Sequence, residues 1–126
     1  MVWIRTDDGH KKIKREWIEK ISCETAADHK SFRFYANIRG ENLEICSITI
    51  PPTIFNKFLD PKNQFCDNQH ITEEHWDNLW ERYYDEGLEK IVANRGEELL
   101  QKLTDYITET KKNKNELTIE LRDFFK

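Results

Sequence analysis

The strongest constraint on this chain is a stretch, residues 72–92, in which two rows of side chains repeat every four residues. The first row, here called the acidic rail, comprises Glu73, Asp77, Glu81, Asp85 and Glu89. The second row, the aromatic stripe, comprises Trp76, Trp80, Tyr84, Leu88 and Val92. Side chains four residues apart share one face of an α-helix. The pattern therefore predicts a long amphipathic helix over residues 72–93.

The acidic rail has a small energetic cost, because like charges at i and i+4 repel by about 0.2–0.5 kcal/mol per pair. Three interpretations of the rail are open. It is a solvated face that favours solubility, a surface that binds a cationic partner, or a surface that forms ion pairs with a basic segment of the same chain. That basic segment comprises Lys11, Lys12, Lys14, Arg15 and Lys20, and it would pair within the fold or across a homodimer. We take the rail as the candidate partner-binding surface, with Trp80 and Tyr84 as its polar-tipped aromatic edge.

The composition is that of one domain, residues 1–126, with a real core. Hydrophobic residues make up 37% of the chain and aromatic residues 12%, whereas disordered chains are poor in aromatics. The formal net charge of −4 argues against a general nucleic-acid binder, which is normally basic. No apolar run approaches the roughly 20 residues of a membrane-spanning helix. We therefore expect neither a membrane nor a nucleic-acid partner.

The cysteines bear on the compartment. Cys23, Cys46 and Cys66 are odd in number and widely spaced, as expected of free thiols in a reducing environment. The first residues lack the apolar core and the cleavage site of a secretory signal. Together these features predict a cytoplasmic protein.

Two strands are predicted in the middle of the chain. Residues 31–38 alternate, with Phe32, Phe34, Ala36 and Ile38 on one face. A turn at residues 39–42 leads to a returning strand over residues 43–50. The alternation of that strand changes phase at Ile45 and Cys46, which predicts a β-bulge or a strand covered on both faces.

Residues 9–22 have two interpretations. The spacing of Ile13, Trp17, Ile18 and Ile21 fits a helix, and the many Lys and Glu residues favour it. Asp8-Gly9, however, is a strong hairpin signal. We favour the helix and keep the hairpin as the alternative.

The carboxyl-terminal half predicts a second helix over residues 97–112. Asn94-Arg95-Gly96 would end the first helix, with the glycine as a left-handed stop. Gly87 would lie inside the first helix, at a close approach of another backbone. Residues 116–122 alternate and predict a final strand, and a helix that ends in Phe124 and Phe125 is the alternative. The predicted fold is α+β: a small antiparallel sheet packed on one face by an antiparallel helical hairpin plus an N-terminal helix.

No motif in the chain carries recognisable catalytic chemistry. Cys66, His70 and His75 are weak zinc candidates, because the sequence lacks both a C-x2-C pair and an H-E-x-x-H motif. We predict no cofactor and no metal. The sequence leaves enzymatic activity open and favours binding over turnover.

The predicted function is that of a small acidic intracellular module that binds a basic protein partner, as an inhibitor, immunity or antitoxin-like protein does. Its acidic and aromatic helix would dock on the partner's basic surface. The alternative is a small-molecule-binding protein or an enzyme with an aromatic pocket near the loop at residues 60–75. A third possibility is a homodimer that buries the aromatic stripe.

Overall fold

The structure, a computed structural model, describes residues 1–66, 69–110 and 116–125, and its elements confirm the predicted α+β class. The strands in these ranges are β1 (Val2–Arg5), β2 (Lys12–Lys14), β3 (Lys20–Thr25), β4 (Ser31–Ile38), β5 (Glu41–Thr49) and β6 (Leu117–Glu120). The α-helices there are α1 (Glu73–Tyr83) and α2 (Leu88–Glu109). None of the helices in the described ranges is long and apolar enough to cross a membrane.

Strands β3, β4 and β5 form an antiparallel sheet in that order, and β4 is its central strand. The alternation in β4 behaves as predicted, since Phe32, Phe34 and Ala36 are buried. A two-residue turn joins β4 to β5, and both of its residues, Arg39 and Gly40, have positive φ angles of 54° and 83°. This conformation matches the right-handed twist of the flanking strands.

The predicted bulge in β5 is confirmed. Phe34 pairs with Cys46 and Tyr35 pairs with Glu44, so Ile45 is the extra residue on β5. Both Ile45 and Cys46 are buried, at 0% and 1% exposure. A bulge inserts one residue and thereby lets two successive side chains of β5 enter the core.

The predicted helix over residues 9–22 is wrong, because most of this segment is extended. β1 and β2 form a hairpin closed by a hydrogen bond from Thr6 N to Lys11 O, at 2.9 Å, and Gly9 has a φ of +77° in its turn. The N-terminal helical content of this segment is one 3₁₀ turn at Arg15–Trp17, and β3 follows it. The Asp8-Gly9 turn and the pairing with β1 outweigh the local helix propensity of Lys and Glu, which is a weak preference.

The β1-β2 hairpin is part of a second sheet, whose strand order is β2-β1-β6. β1 is antiparallel to β2 and parallel to β6, so the two ends of the chain meet in this sheet. The final strand is thus confirmed at Leu117–Glu120, inside the predicted residues 116–122. The sequence predicted one sheet, and the described residues form two.

The start of the first long helix is as predicted, but its end is not. Thr72 caps α1, and its hydroxyl accepts a hydrogen bond from His75 N at 3.3 Å. α1 ends at Tyr83, and a 3₁₀ turn (Tyr84–Glu86) and Gly87 lead to α2. α2 runs on through residues 94–96, so the predicted break there is wrong. The two-helix segment is present, with its break about three turns earlier.

The two glycines of this segment exchange the roles predicted for them. Gly87 has a φ of +106°, and a Cβ added to it would meet nothing within 4 Å. Gly96 lies inside α2, and its Cβ would meet Phe32 Cε1 at 3.2 Å and Cys23 Sγ at 3.6 Å. Gly87 therefore supplies a left-handed backbone, and Gly96 lets α2 approach the β3-β4-β5 sheet closely.

Replacing Gly87 with alanine is expected to lower the free energy of unfolding by about 1–2 kcal/mol, because a Cβ disfavours its positive φ. Urea denaturation measures the difference. Gly87→Asn serves as the control. Its free energy of unfolding should fall by less, since asparagine tolerates a left-handed backbone better than alanine does. An alanine variant as stable as the parent would contradict the assigned role.

One apolar cluster joins both sheets to both helices. The β1-β2-β6 sheet contributes Val2, Ile4, Ile13 and Ile119. α1 contributes Trp76, Leu79, Trp80 and Tyr83, and α2 contributes Leu88, Val92, Leu99, Leu103 and Ile107. Phe55, on a 3₁₀ segment at Pro52–Lys57, lies edge-on to Trp76 with their ring centroids 5.1 Å apart. The buried faces of α1 and α2 leave their acidic faces to solvent.

Candidate functional site

All five residues of the acidic rail are exposed, but the rail is bent rather than straight. Glu73, Asp77 and Glu81 lie on α1, Asp85 lies in the 3₁₀ turn, and Glu89 lies in the first turn of α2. The left-handed Gly87 makes the bend. Acids in the first turns of both helices are favourable, since helix N-termini carry partial positive charge.

Residues 73–89 form a strongly acidic surface. They contain seven carboxylates and one arginine, Arg82, whose guanidinium lies over the Tyr83 ring at 5.3 Å. Across residues 1–66, 69–110 and 116–125, one ion pair reaches the rail, from Lys30 Nζ to Glu73 Oε1 at 3.0 Å. The Glu73 side chain is 77% exposed and the Lys30 side chain 33% exposed, and ion pairs that solvent reaches contribute little to stability. The other four rail carboxylates have no cationic partner within the described chain.

The basic segment, residues 11–20, does not pair with the rail in the described residues. Lys12 Nζ lies 5.2 Å from the Trp3 ring centroid, and Lys14 Nζ lies 5.5 Å from the centroids of both Trp3 and Trp17. Arg15 Nε donates to Ile107 O at 2.9 Å. These are cation–π and backbone contacts. Pairing with this segment inside the chain therefore does not account for the rail, and pairing across a homodimer stays a prediction.

The aromatic stripe divides into a buried part and an exposed part. Trp76 and Trp80 are only 6% and 5% exposed, whereas Tyr84 is 42% exposed. The Trp80 ring stacks on His29, with centroids 4.6 Å apart. The prediction that Trp80 forms a wet edge is therefore wrong, because the core and His29 cover its ring. Tyr84 remains as the exposed aromatic of the rail.

A small cleft lies where the rail bends. Its volume is about 170 Å³. Its walls come from the end of β3, the following turn, α1 and α2: Thr25, His29, Trp80, Tyr84, Glu89, Val92 and Ala93. The negative charge of Glu89 and a hydrogen bond between the two side chains raise the pKa of the Tyr84 hydroxyl above its ordinary value. The Glu89 carboxylate and the Tyr84 side chain thus lie next to each other at the exposed side of a cleft that also has apolar lining.

Sequence reasoning missed His29 and Thr25, which are far from the helix along the chain. His29 lies in the turn between β3 and β4 with a φ of +59°, and its backbone N donates to Ala26 O at 2.9 Å. The only local signal is Asp28, whose carboxylate accepts from Lys30 N at 3.0 Å, as an Asx turn does. That signal predicts a turn, and its contact with Trp80 depends on the tertiary fold.

A second cleft, of about 330 Å³, lies beside the loop at residues 60–75. It is lined by Lys30, Thr49, Ile50, Pro52, Gln69, His70, Ile71 and Trp76. The Trp76 indole Nε1 is buried and has no hydrogen-bond partner among the described residues. The cleft therefore combines one aromatic wall with several polar side chains.

The weak zinc candidates do not assemble into a cluster in the described part of the chain. Within residues 1–66, 69–110 and 116–125, no three His, Cys, Asp or Glu side chains are placed to hold a metal ion. His75 instead lies edge-on to Phe65, with ring centroids 6.1 Å apart. Asp67, another possible ligand, lies outside the described residues.

The thiols of Cys46, which is buried, and of Cys23, which is partly buried, are poor nucleophiles. Burial raises the pKa of Cys46 to about 12, and burial also raises the pKa of Cys23 to about 11. Both thiols are therefore protonated at neutral pH, and the thiolate is the reactive form. Cys66 is exposed, and all three cysteines are free.

No protein-family model, curated protein or solved structure matches this chain. What the site can do therefore follows from its own chemistry. Its dominant features are an exposed acidic surface and an acid-rimmed aromatic cleft, and both are suited to positively charged groups.

Proposed function

We propose that this protein is a small binding module that docks the acidic rail on a basic surface of another protein. Inhibitors, immunity proteins and antitoxin-like proteins work in this way. The observation that carries the proposal is that Asp77, Glu81, Asp85 and Glu89 are exposed and have no ion pair within the described chain. Carboxylates without an internal ion pair can pair with a cationic surface.

The electrostatics of the rail favour fast association. A surface with one sign of charge raises the rate of encounter with an oppositely charged partner. The exposed tyrosine at position 84 adds an aromatic group, and tyrosine is enriched at interfaces. If the rail served solubility alone, the protein would have no binding partner there. A capture experiment therefore distinguishes a partner-binding rail from a rail that only keeps the protein soluble.

Capture of the partner from the source cell is expected to depend strongly on salt. The Debye length falls from about 10 Å at 0.1 M to about 3 Å at 1 M ionic strength, so exposed charge pairs are largely screened at high salt. The tagged protein should retain a basic protein at 0.1 M salt and release most of it at 1 M, as measured by quantitative mass spectrometry. Absence of any salt-sensitive basic protein would contradict the proposal.

The second cleft supports a different candidate function, binding of a small molecule. Its volume of about 330 Å³ is within the range of ligand pockets, about 300–1,000 Å³. The unsatisfied Trp76 Nε1 is a donor that a bound polar group would satisfy. A thermal-shift screen tests this function, and a ligand that raises the melting temperature of the parent but not of Trp76→Phe would support it.

Two further proposals concern the state of the protein in the cell. We propose a cytoplasmic location, which the three free cysteines support. Homodimerisation is an alternative use of the rail, in which the basic segment of a second copy provides the cations. The mass in solution, measured at low and high salt, distinguishes a dimer from a monomer that binds a different protein.

A further inference from the structure

We infer that the cleft at the bend of the acidic rail receives an arginine side chain from the partner. This inference rests on the proposed function, because it names the group that the acidic surface would recognise. The cleft is lined by Tyr84 and by Glu89 of the rail, so it is part of the acidic surface. Charge complementarity there favours a cation.

The size of the cleft favours a single side chain over a free small molecule. Its volume of about 170 Å³ is below the roughly 300–1,000 Å³ of pockets for drug-sized ligands. Its lining includes the apolar side chains of Val92 and Ala93, with Val92 only 2% exposed. The methylene groups of a long basic side chain can contact such a surface while its charged head stays near the carboxylate.

The polar groups of the cleft suit a planar cation. Glu89 has no ion pair within the described chain, and the ring of Tyr84 is partly exposed. A guanidinium stacks flat on aromatic rings and binds carboxylates with two parallel hydrogen bonds, whereas the ammonium of lysine is a point charge without that planar geometry. Arginine is therefore the better occupant of the two.

A buried hydrogen-bond donor also belongs to a residue that lines the cleft. Trp80 lines the cleft and is 5% exposed, and its Nε1 has no hydrogen-bond partner among the described residues. Buried donors in folded proteins almost always have partners, so this one calls for an acceptor. A guanidinium has no acceptor, so the hydrogen bond to Trp80 Nε1 would come from a backbone carbonyl of the partner's arginine-bearing segment.

The test uses the whole protein and a defined probe. N-acetyl-arginine amide is titrated into isotope-labelled protein, and the indole resonance of Trp80 and the amide resonance of Ala93 are followed by NMR. We expect both resonances to shift and N-acetyl-lysine amide to bind more weakly. Glu89→Gln should weaken arginine binding by about fivefold, the effect of one exposed ion pair.

Two control variants separate the cleft from the general charge of the surface. Glu74→Gln removes the same charge from an exposed position outside the cleft and should leave arginine binding unchanged. Tyr84→Phe keeps the ring and should bind, whereas Tyr84→Ala should not. If the probe produces no shifts, or if Glu89→Gln and Glu74→Gln bind alike, the inference is wrong. The proposed function would still stand if the salt-sensitive partner were captured.

Discussion

Reversal of Glu81 and Asp85 to lysine is expected to weaken binding of the captured basic protein by at least about 100-fold while the fold stays intact. Like charges brought together at an interface cost several kcal/mol, and each 1.4 kcal/mol is a factor of ten. Both side chains are exposed, and Glu81 lies in the last turn of α1, where a cation suits the helix dipole. Calorimetric titration measures the affinity, and urea denaturation checks the fold.

The matched control is the double variant Glu19→Lys with Glu41→Lys. Both residues are exposed and lie near the antiparallel sheet rather than on the rail. Each reversal adds two charges, so either double variant changes the formal net charge from −4 to 0. The control should keep its affinity within a few-fold. Equal losses of affinity in both variants would mean that the net charge of the protein, and not the rail, determines binding. Unchanged affinity of the rail variant would exclude the rail as the binding surface.

Replacement of Phe55 with alanine is expected to lower the free energy of unfolding by about 3–5 kcal/mol, the usual cost of removing a buried aromatic ring. Phe55 is fully buried, and its ring lies edge-on to Trp76 and Trp80, with centroid distances of 5.1 and 6.4 Å. These contacts hold the buried face of α1 in place. The loss would be a large fraction of the about 5–15 kcal/mol that stabilises a typical protein.

Urea denaturation of Phe55→Ala and Phe55→Leu tests this prediction. Leucine keeps most of the apolar volume, so its loss should stay below about 1.5 kcal/mol. A loss of less than about 1 kcal/mol in the alanine variant would contradict the assigned role of Phe55. It would mean that α1 is held to the core by other contacts.

The elements that could be predicted are those set by local patterns. In β4, Phe32, Phe34 and Ala36 alternate and are buried, and the phase change in β5 at Ile45 and Cys46 is a bulge. Alternation of apolar and polar residues with a period of two indicates a half-buried strand, and a change of phase in that alternation indicates an inserted residue. The start of α1 was equally local, because the Thr72 cap satisfies a backbone donor within the same turn.

The amino-terminal segment was mispredicted because its conformation depends on a distant partner. β1 pairs with both β2 and β6, and β6 lies more than a hundred residues away along the chain. Within the segment Ile13 is buried, yet Trp17 is 45% exposed, so the apolar spacing did not mark one helical face. Helix propensity is a weak preference that such pairing overrides.

The candidate site was predictable in its charges and not in its shape. Acidic residues at positions 73–89 are plain in the sequence, and the structure leaves the rail exposed. The bend at Gly87 could not be predicted, because a glycine within a helical pattern looks the same in the sequence in two cases. In one it ends the helix, and in the other it lets the helix approach a neighbouring backbone. The burial of Trp80 depends on His29, which comes from a turn 51 residues earlier in the chain.

Site-specific photo-crosslinking in the source cell tests most directly whether the acidic rail touches a partner. A photoreactive amino acid replaces Asp77 in one variant and Glu41 in another, and both positions are exposed. We predict a crosslinked adduct with a basic protein from position 77 and none from position 41. The same adduct from both positions, or adducts from position 41 alone, would contradict the account.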